Sequence, residues 1–151
     1  MTQKIGFYKA HDPYGFCSNF YEAPIVVDNI LYKTTEHYYQ SKKFSVGSDI
    51  WNSIVAASTP QEVVAISREV HENPSCSQWD EIKYNIMRKA VYNKFYQHTA
   101  LAKLLLDTKD AELVEDTIGT VRPDAWWGNG KAGEGRNWLG KILMEVRESL
   151  K

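Results

Sequence analysis

No apolar run in this chain approaches the roughly 18 residues that a membrane-spanning helix needs, so none of its helices is expected to cross a bilayer. Cysteine is scarce: Cys17 and Cys76 stand far apart, form no CxxC pair and give no disulfide framework. The N-terminus also lacks the apolar core of a signal peptide, and a reducing, cytoplasmic setting is therefore expected. Charge of one sign is missing too, with 18 Lys and Arg against 19 Asp and Glu. The net charge of −1 argues against gripping long nucleic acid by bulk electrostatics, while leaving a local basic patch open. The four histidines, His11, His37, His71 and His98, are scattered. With no HExxH motif and no Cys/His ligand cluster, no metal is expected. Repeats, low-complexity tracts and a nucleophile-elbow GxSxG are likewise missing. What is present, 151 residues with 43% hydrophobic and 13% aromatic content, suits one domain over residues 1–151 with a sizeable core.

Local patterns outline the elements. Ile5 to Tyr8 reads as a short strand before the turn-rich His11-Asp12-Pro13-Tyr14-Gly15. Ile25-Val26-Val27 and Ile30-Leu31-Tyr32 flank Asp28-Asn29, a pair that tolerates positive φ, and so read as a hairpin. Thr34-Thr35 can cap a helix from Glu36 to Phe44, and Ser48-Asp49 another from Ile50 to about Ala57. Thr59-Pro60-Gln61-Glu62 combines a Thr cap, Pro at the first helical position and Glu at the third, which starts a helix running to about Val70. Further helices are expected from Trp79 to Tyr96, over Leu101 to Leu106 as a buried segment, and from Leu139 to Leu150 with Leu139, Leu143, Val146 and Leu150 inward. Glu112 to Glu115 reads as a strand. The expected class is α+β, a helix-dominated single domain with a small antiparallel sheet or hairpin.

The helix beginning at Trp79 carries a chemical signal. At about 100° per residue, Trp79, Ile82, Ile86, Met87 and Ala90 make an apolar stripe, and Lys83 falls inside it, whereas Glu81 and Arg88 face the opposite side. Two readings are open. Lys83 is a snorkelling stem with its ammonium in water, or it is a desolvated amine with a lowered pKa and hence a nucleophile. Lys94 lies on the same face but nearer the helix end, where it reaches solvent more easily, so Lys83 ranks first.

Glu36 stands in the first turn of its helix, where dipole and N–H groups stabilise a carboxylate; it either compensates the dipole or meets a ribose hydroxyl. Asp124, just after Pro123, is a second catalytic carboxylate or a turn residue. The most distinctive stretch is Trp126-Trp127-Gly128-Asn129-Gly130-Lys131-Ala132-Gly133-Glu134-Gly135-Arg136-Asn137, ahead of the last helix. Glycines let backbone N–H groups approach a ligand, and a helix N-terminus favours an anion, so this loop reads as a phosphate cradle with a tryptophan pair able to stack a base. Gly128-x-Gly130-x-x-Gly133 matches the dinucleotide fingerprint in letters, yet it lacks the preceding strand and the βαβ unit, and a Rossmann fold is excluded.

Taken together, Ser18-Asn19-Phe20-Tyr21, Thr35-Glu36-His37-Tyr38-Tyr39-Gln40-Ser41-Lys42-Lys43-Phe44 and Trp127-Gly128-Asn129-Gly130 resemble the NADAR (NAD and ADP-ribose) superfamily, also called YbiA-like. Trp79-x-x-x-Lys83-x-x-x-Met87, Lys94-Phe95, Leu113-Val114-Glu115 and the segment from Gly133 to Arg147 continue the match in the family's order over almost the whole chain.

The resemblance implies an N-glycosidase that hydrolyses the bond between a phosphorylated ribose and a base nitrogen, with no cofactor and no obligatory protein partner. Its substrate would be ADP-ribosylated guanine in nucleic acid or a phosphoribosylamino-pyrimidine intermediate of riboflavin synthesis. The paired tryptophans and the long glycine loop, with room for two phosphates, favour the former. It further implies that Glu36 engages the ribose and moves protons, that Lys83 attacks the opened sugar to form a Schiff base, and that Asp124 assists. Asn19, Phe20, Trp126, Trp127, Gly128, Asn129 and Gly130 would shape the ribose and base site, with Gly133, Gly135 and Asn137 receiving phosphate. A catalytically silent ADP-ribose or NAD reader is the competing class, since a cradle alone needs neither Lys83 nor Glu36.

Overall fold

The cap residues marked in the sequence close the helices they precede. In the computed structural model, which describes residues 2–70 and 78–151, Thr34, Ser48 and Thr59 each accept a hydrogen bond from the backbone N–H three residues on. They open α1 (Thr35–Ser41), α2 (Asp49–Ala56) and α3 (Pro60–Glu69). Pro60 sits in the first turn of α3, where its missing N–H costs nothing. Glu62 reaches back to the N–H of Ser58, one residue before the capping-box position. Cys76 and His71 lie outside the described residues. The molecule is helix-rich, with six α-helices and two two-stranded sheets among those residues, and none of its helices is long and apolar enough to cross a membrane.

The chain divides into two compact units, Glu22–Lys94 and a second formed by Met1–Tyr21 with Phe95–Lys151. In the Glu22–Lys94 unit, β2 (Ile25–Val27) and β3 (Ile30–Tyr32) pair antiparallel around Asp28 and Asn29, whose φ angles of 52° and 64° are those of the turn expected for this dipeptide. Ile25, Val27 and Tyr32 point inward and join Tyr38 of α1, Trp51 of α2 and Ala90 in a common core, while Ile54, Ala57 and Val63 knit α2 to α3.

His37 joins these helices chemically. It is fully buried: its Nε2–H donates to the carbonyl of Ala57, and its Nδ1 accepts from the Thr34 hydroxyl, whose oxygen in turn accepts the His37 N–H. A carbonyl can only accept, so Nε2 holds the proton and the ring is neutral. Burial, above all, holds its pKa below the ordinary 6.5. The unfolded chain therefore takes up the proton first as pH falls, and stability declines below about pH 6.5 until the folded ring protonates as well. The melting temperature should drop between about pH 7.5 and pH 5.5. In His37→Gln that slope should shrink, despite a lower melting temperature throughout; an undiminished slope in calorimetry assigns the acid sensitivity elsewhere.

In the other unit, β1 (Lys4–Phe7) and β4 (Glu112–Glu115) pair in parallel, Ile5 beside Leu113. The sheet content is thus a parallel pair as well as the expected antiparallel hairpin. α6 (Trp138–Ser149) lies on β4 and buries Leu139, Ile142, Leu143 and Val146; Leu150, expected inward, is the half-buried C-cap. Gly140 marks the crossing, because a Cβ there would meet the Leu113 carbonyl and the Asn137 side chain. Arg147 is buried yet satisfied, donating to Thr108 Oγ1 and the Ala111 carbonyl. Two expectations need correction. α5 (Thr99–Leu106) buries only Leu101 and Leu105, with Leu104 exposed, so it is a surface helix. The first helix stops at Ser41, and Lys42 to Phe44 follow as turns.

α4 (Trp79–Gln97) passes from one unit into the other at Lys94 and Phe95. Its most buried residues are Met87, Ala90, Val91, Lys94 and Phe95; Trp79, Ile82 and Ile86 are half-buried or exposed less deeply than expected, at the margin of that stripe.

Candidate functional site

The residues picked from the sequence fall in both units, Glu36 and Lys83 in one, Asn19, Phe20, Asp124 and the tryptophan loop in the other. Glu36 occupies the first turn of α1 but is 8% exposed, deeper than ordinary dipole compensation requires. Its Oε1 accepts from Gln40 Nε2 at 2.8 Å, one helical turn on, and Gln40 Oε1 accepts from the Ser67 hydroxyl of α3 at 2.9 Å. The serine fixes which end of the carboxamide faces the carboxylate. A desolvated carboxylate held by a directed donor suits binding sugar hydroxyls or moving protons.

Lys83 is half-buried, its side chain 17% exposed, and its Nζ lies 3.2 Å from Asp80 Oδ1 at the exposed margin of α4. Lys94 is the more buried of the two lysines at 1% exposure, contrary to its expected access to solvent. Its four-carbon stem lies in the stripe of Met87, Ala90 and Val91, so closeness to the helix end does not bring it to water.

Sequence reasoning passed over Lys43. Its Nζ sits 5.7 Å from the ring centroids of both Tyr39 and Trp79, rings 5.2 Å apart. Burial, the largest cause, lowers its pKa; the Lys83 charge lowers it further and Glu36 opposes both. The signal was available in the spacing: residues 36, 40 and 43 stand at i, i+4 and i+7, one face of a helix. The Lys43 N–H donates to the Gln40 carbonyl, so a turn extends that face past the end of α1.

In the other unit, Thr117 organises the loop before α6. Its N–H donates to Asn129 Oδ1, its hydroxyl donates to the Gly130 carbonyl, and its Oγ1 accepts the Asp124 N–H. Asp124 Oδ1 accepts the N–H groups of Trp126 and Trp127 at 2.9 and 2.7 Å, the work of a turn residue. Trp126 stands between Trp127 and Trp138, with the Arg136 guanidinium 4.9 Å from its ring, so indole faces and a cation adjoin one another. Such a surface can stack a planar base. Asn19 and Phe20 are half-buried just after a 3-10 turn (Gly15–Cys17), where the Phe20 N–H donates to Ser18 Oγ.

The glycine loop differs from the cradle expected. The N–H groups of Gly135, Arg136, Asn137, Trp138 and Leu139 donate to the carbonyls of Asn129, Ala125, Gly128, Trp126 and Trp127. The opening of α6, including Gly135 and Asn137, is thereby closed by the loop's own backbone. Asn137, in the left-handed region at φ 53°, accepts from the Glu115 N–H and donates to the Leu113 carbonyl, fastening the helix to β4. The turn containing Gly133 holds an anion of its own, for the Glu134 carboxylate accepts the N–H groups of Lys131 and Ala132.

A family model described as NADAR domain matches residues 6–151. The chain is 42% identical to N-glycosidase YbiA of Escherichia coli over 97% of its own length and 88% of that protein. It is 39% identical to Riboflavin biosynthesis protein VVA0006 of Vibrio vulnificus, covering 99% of this chain and 39% of that longer one. The NMR structure of the E. coli protein YbiA superposes with a TM-score of 0.85 at 41% identity, over 99% of this chain and 86% of that one.

Proposed function

Since the chain belongs to the NADAR domain family, we propose that it is an N-glycosidase that hydrolyses the bond between a phosphorylated ribose and an amine-bearing base. The observation that carries the reading is the buried Glu36, held by Gln40, with Lys43 placed where both Glu36 and Lys83 act on it. Glu36 moves protons to and from the sugar, and a lysine amine attacks the anomeric carbon of the opened ring; Lys83 is the candidate that periodicity and the family motif supply. Asp124 Oδ1, which accepts two backbone N–H groups, acts by holding the tryptophan turn rather than by assisting proton transfer.

A phosphoribosylamino-pyrimidine of riboflavin synthesis is the first substrate. The relative in Vibrio vulnificus carries a riboflavin biosynthesis name, and the N–H groups that suggested room for two phosphates donate to the loop itself. ADP-ribosylated guanine is the second reading, favoured by the stacking faces of Trp126 and Trp127.

Both substrates should be incubated with the protein and the products weighed by mass spectrometry. Release of ribose 5-phosphate from the pyrimidine supports the first reading. Loss of ADP-ribose from a single-stranded oligonucleotide, with the pyrimidine intact, replaces it by the second. Tight binding of ADP-ribose without cleavage of either makes the protein a reader.

A further inference from the structure

Two amines stand in the neighbourhood of Glu36, and the geometry around them differs. The Lys83 head is tethered to Asp80 at 3.2 Å, on the outer margin of α4. The Lys43 head is confined between the faces of Tyr39 and Trp79. At 5.7 Å, close to the outer limit of about 6 Å for a cation on a ring, those faces position the nitrogen more than they stabilise its charge. An amine becomes nucleophilic in water near neutrality when it is desolvated or placed beside another cation. Lys43 meets both conditions, since burial and Lys83 each disfavour its ammonium.

From this arrangement we infer that Lys43, rather than Lys83, is the nucleophilic amine, and that Lys83 is the neighbouring cation that keeps it uncharged and faces the substrate's phosphate. The inference rests on the N-glycosidase reading. The nitrogen lone pair of Lys43 adds to the anomeric carbon of the opened ribose. The bond from that carbon to the base nitrogen then breaks, its electron pair leaving with the base, which takes a proton from Glu36. Water adds to the carbon–nitrogen double bond left on Lys43, and the free sugar and the free amine are restored, with one water consumed. Glu36 regains its proton from that water. Gln40 and Ser67 keep the carboxylate oriented through the cycle.

The test traps the intermediate on the intact protein with ribose 5-phosphate and cyanoborohydride, followed by peptide mapping. The reduced adduct should be found on Lys43 in at least about tenfold excess over Lys83. An adduct on Lys83, or one spread evenly over the surface lysines, overturns the assignment. Two substitutions ask the same question of turnover. Lys43→Arg retains a cation but removes the amine and should lose about 100-fold or more. Lys83→Ala should also lose activity, and Lys83→Arg should recover most of it, because only charge is asked of that position. The reverse pattern, with Lys83→Arg inactive and Lys43→Arg active, makes Lys83 the nucleophile and leaves the N-glycosidase reading intact. Wild-type protein that forms the Lys43 adduct but cleaves neither candidate substrate overturns that reading alone.

Discussion

Replacing Glu36 with Gln is expected to lower kcat by about 10²- to 10⁴-fold, the range over which a positioned acid–base group contributes. The substitution is nearly isosteric, and its carbonyl oxygen can still accept from Gln40 Nε2, so the contact to α3 through Ser67 survives. The melting temperature should consequently move little. Glu36 raises the Lys43 pKa, and removing its charge leaves more of that lysine as free amine. The variant should then be slow for lack of proton transfer while its amine stays competent. Steady-state rates and the cyanoborohydride trap separate these effects: turnover falls steeply and the trapped adduct persists or accumulates. A rate within tenfold of wild type means that Glu36 has no part in proton transfer.

Gly140→Ala is expected to cost about 3 kcal/mol or more, at the upper end of overpacking effects. α6 approaches β4 so closely that the added methyl meets the Leu113 carbonyl oxygen and the Asn137 carboxamide. Neither can turn aside. The carbonyl belongs to a paired strand, and the carboxamide is already bonded to Leu113 and Glu115. For a domain of this size each kcal/mol is worth about 2–4 °C, so thermal unfolding should begin roughly 10 °C lower. A drop under about 2 °C would show that α6 can slide along the strand at little cost.

Much of this arrangement was legible in the sequence because it is local. Thr34, Ser48 and Thr59 close their helices through contacts spanning three residues, and Asp28-Asn29 turns the hairpin through its own backbone preferences. The pairing of β1 with β4 was not legible, since it joins residues more than a hundred positions apart and the parallel direction has no turn signature. Burial along α4 was read with the right period and the wrong phase: the apolar letters of its first half pointed to Trp79 and Ile82, whereas the deepest positions run from Met87 to Phe95. Lys94 was misplaced for the same reason.

The candidate site shows the same division. Glu36 could be chosen from its place in a first turn, and the reach of Gln40 is a one-turn spacing. Lys43 was hidden because its surroundings come from α4 as well as from its own helix, namely Trp79 and Lys83. In the glycine loop, composition announced exposed N–H groups, but hydrogen bonding is decided by where the loop folds back. The carbonyls of residues 125–129 are what the start of α6 meets.

That fold-back brings Gly130 and Gly135 together so closely that a Cβ on Gly135 would strike the backbone of residues 128–130. The four residues between them, Lys131 to Glu134, form an exposed excursion whose two ends already touch. Lengthening such an excursion adds only the slowly growing entropy of a larger loop, about 0.6 kcal/mol for each doubling. Natural variation in length, or a grafted peptide, has a tolerant point of entry there, while a single added residue on the other side of Gly130 or Gly135 would put every donor at the head of α6 out of step with its acceptor.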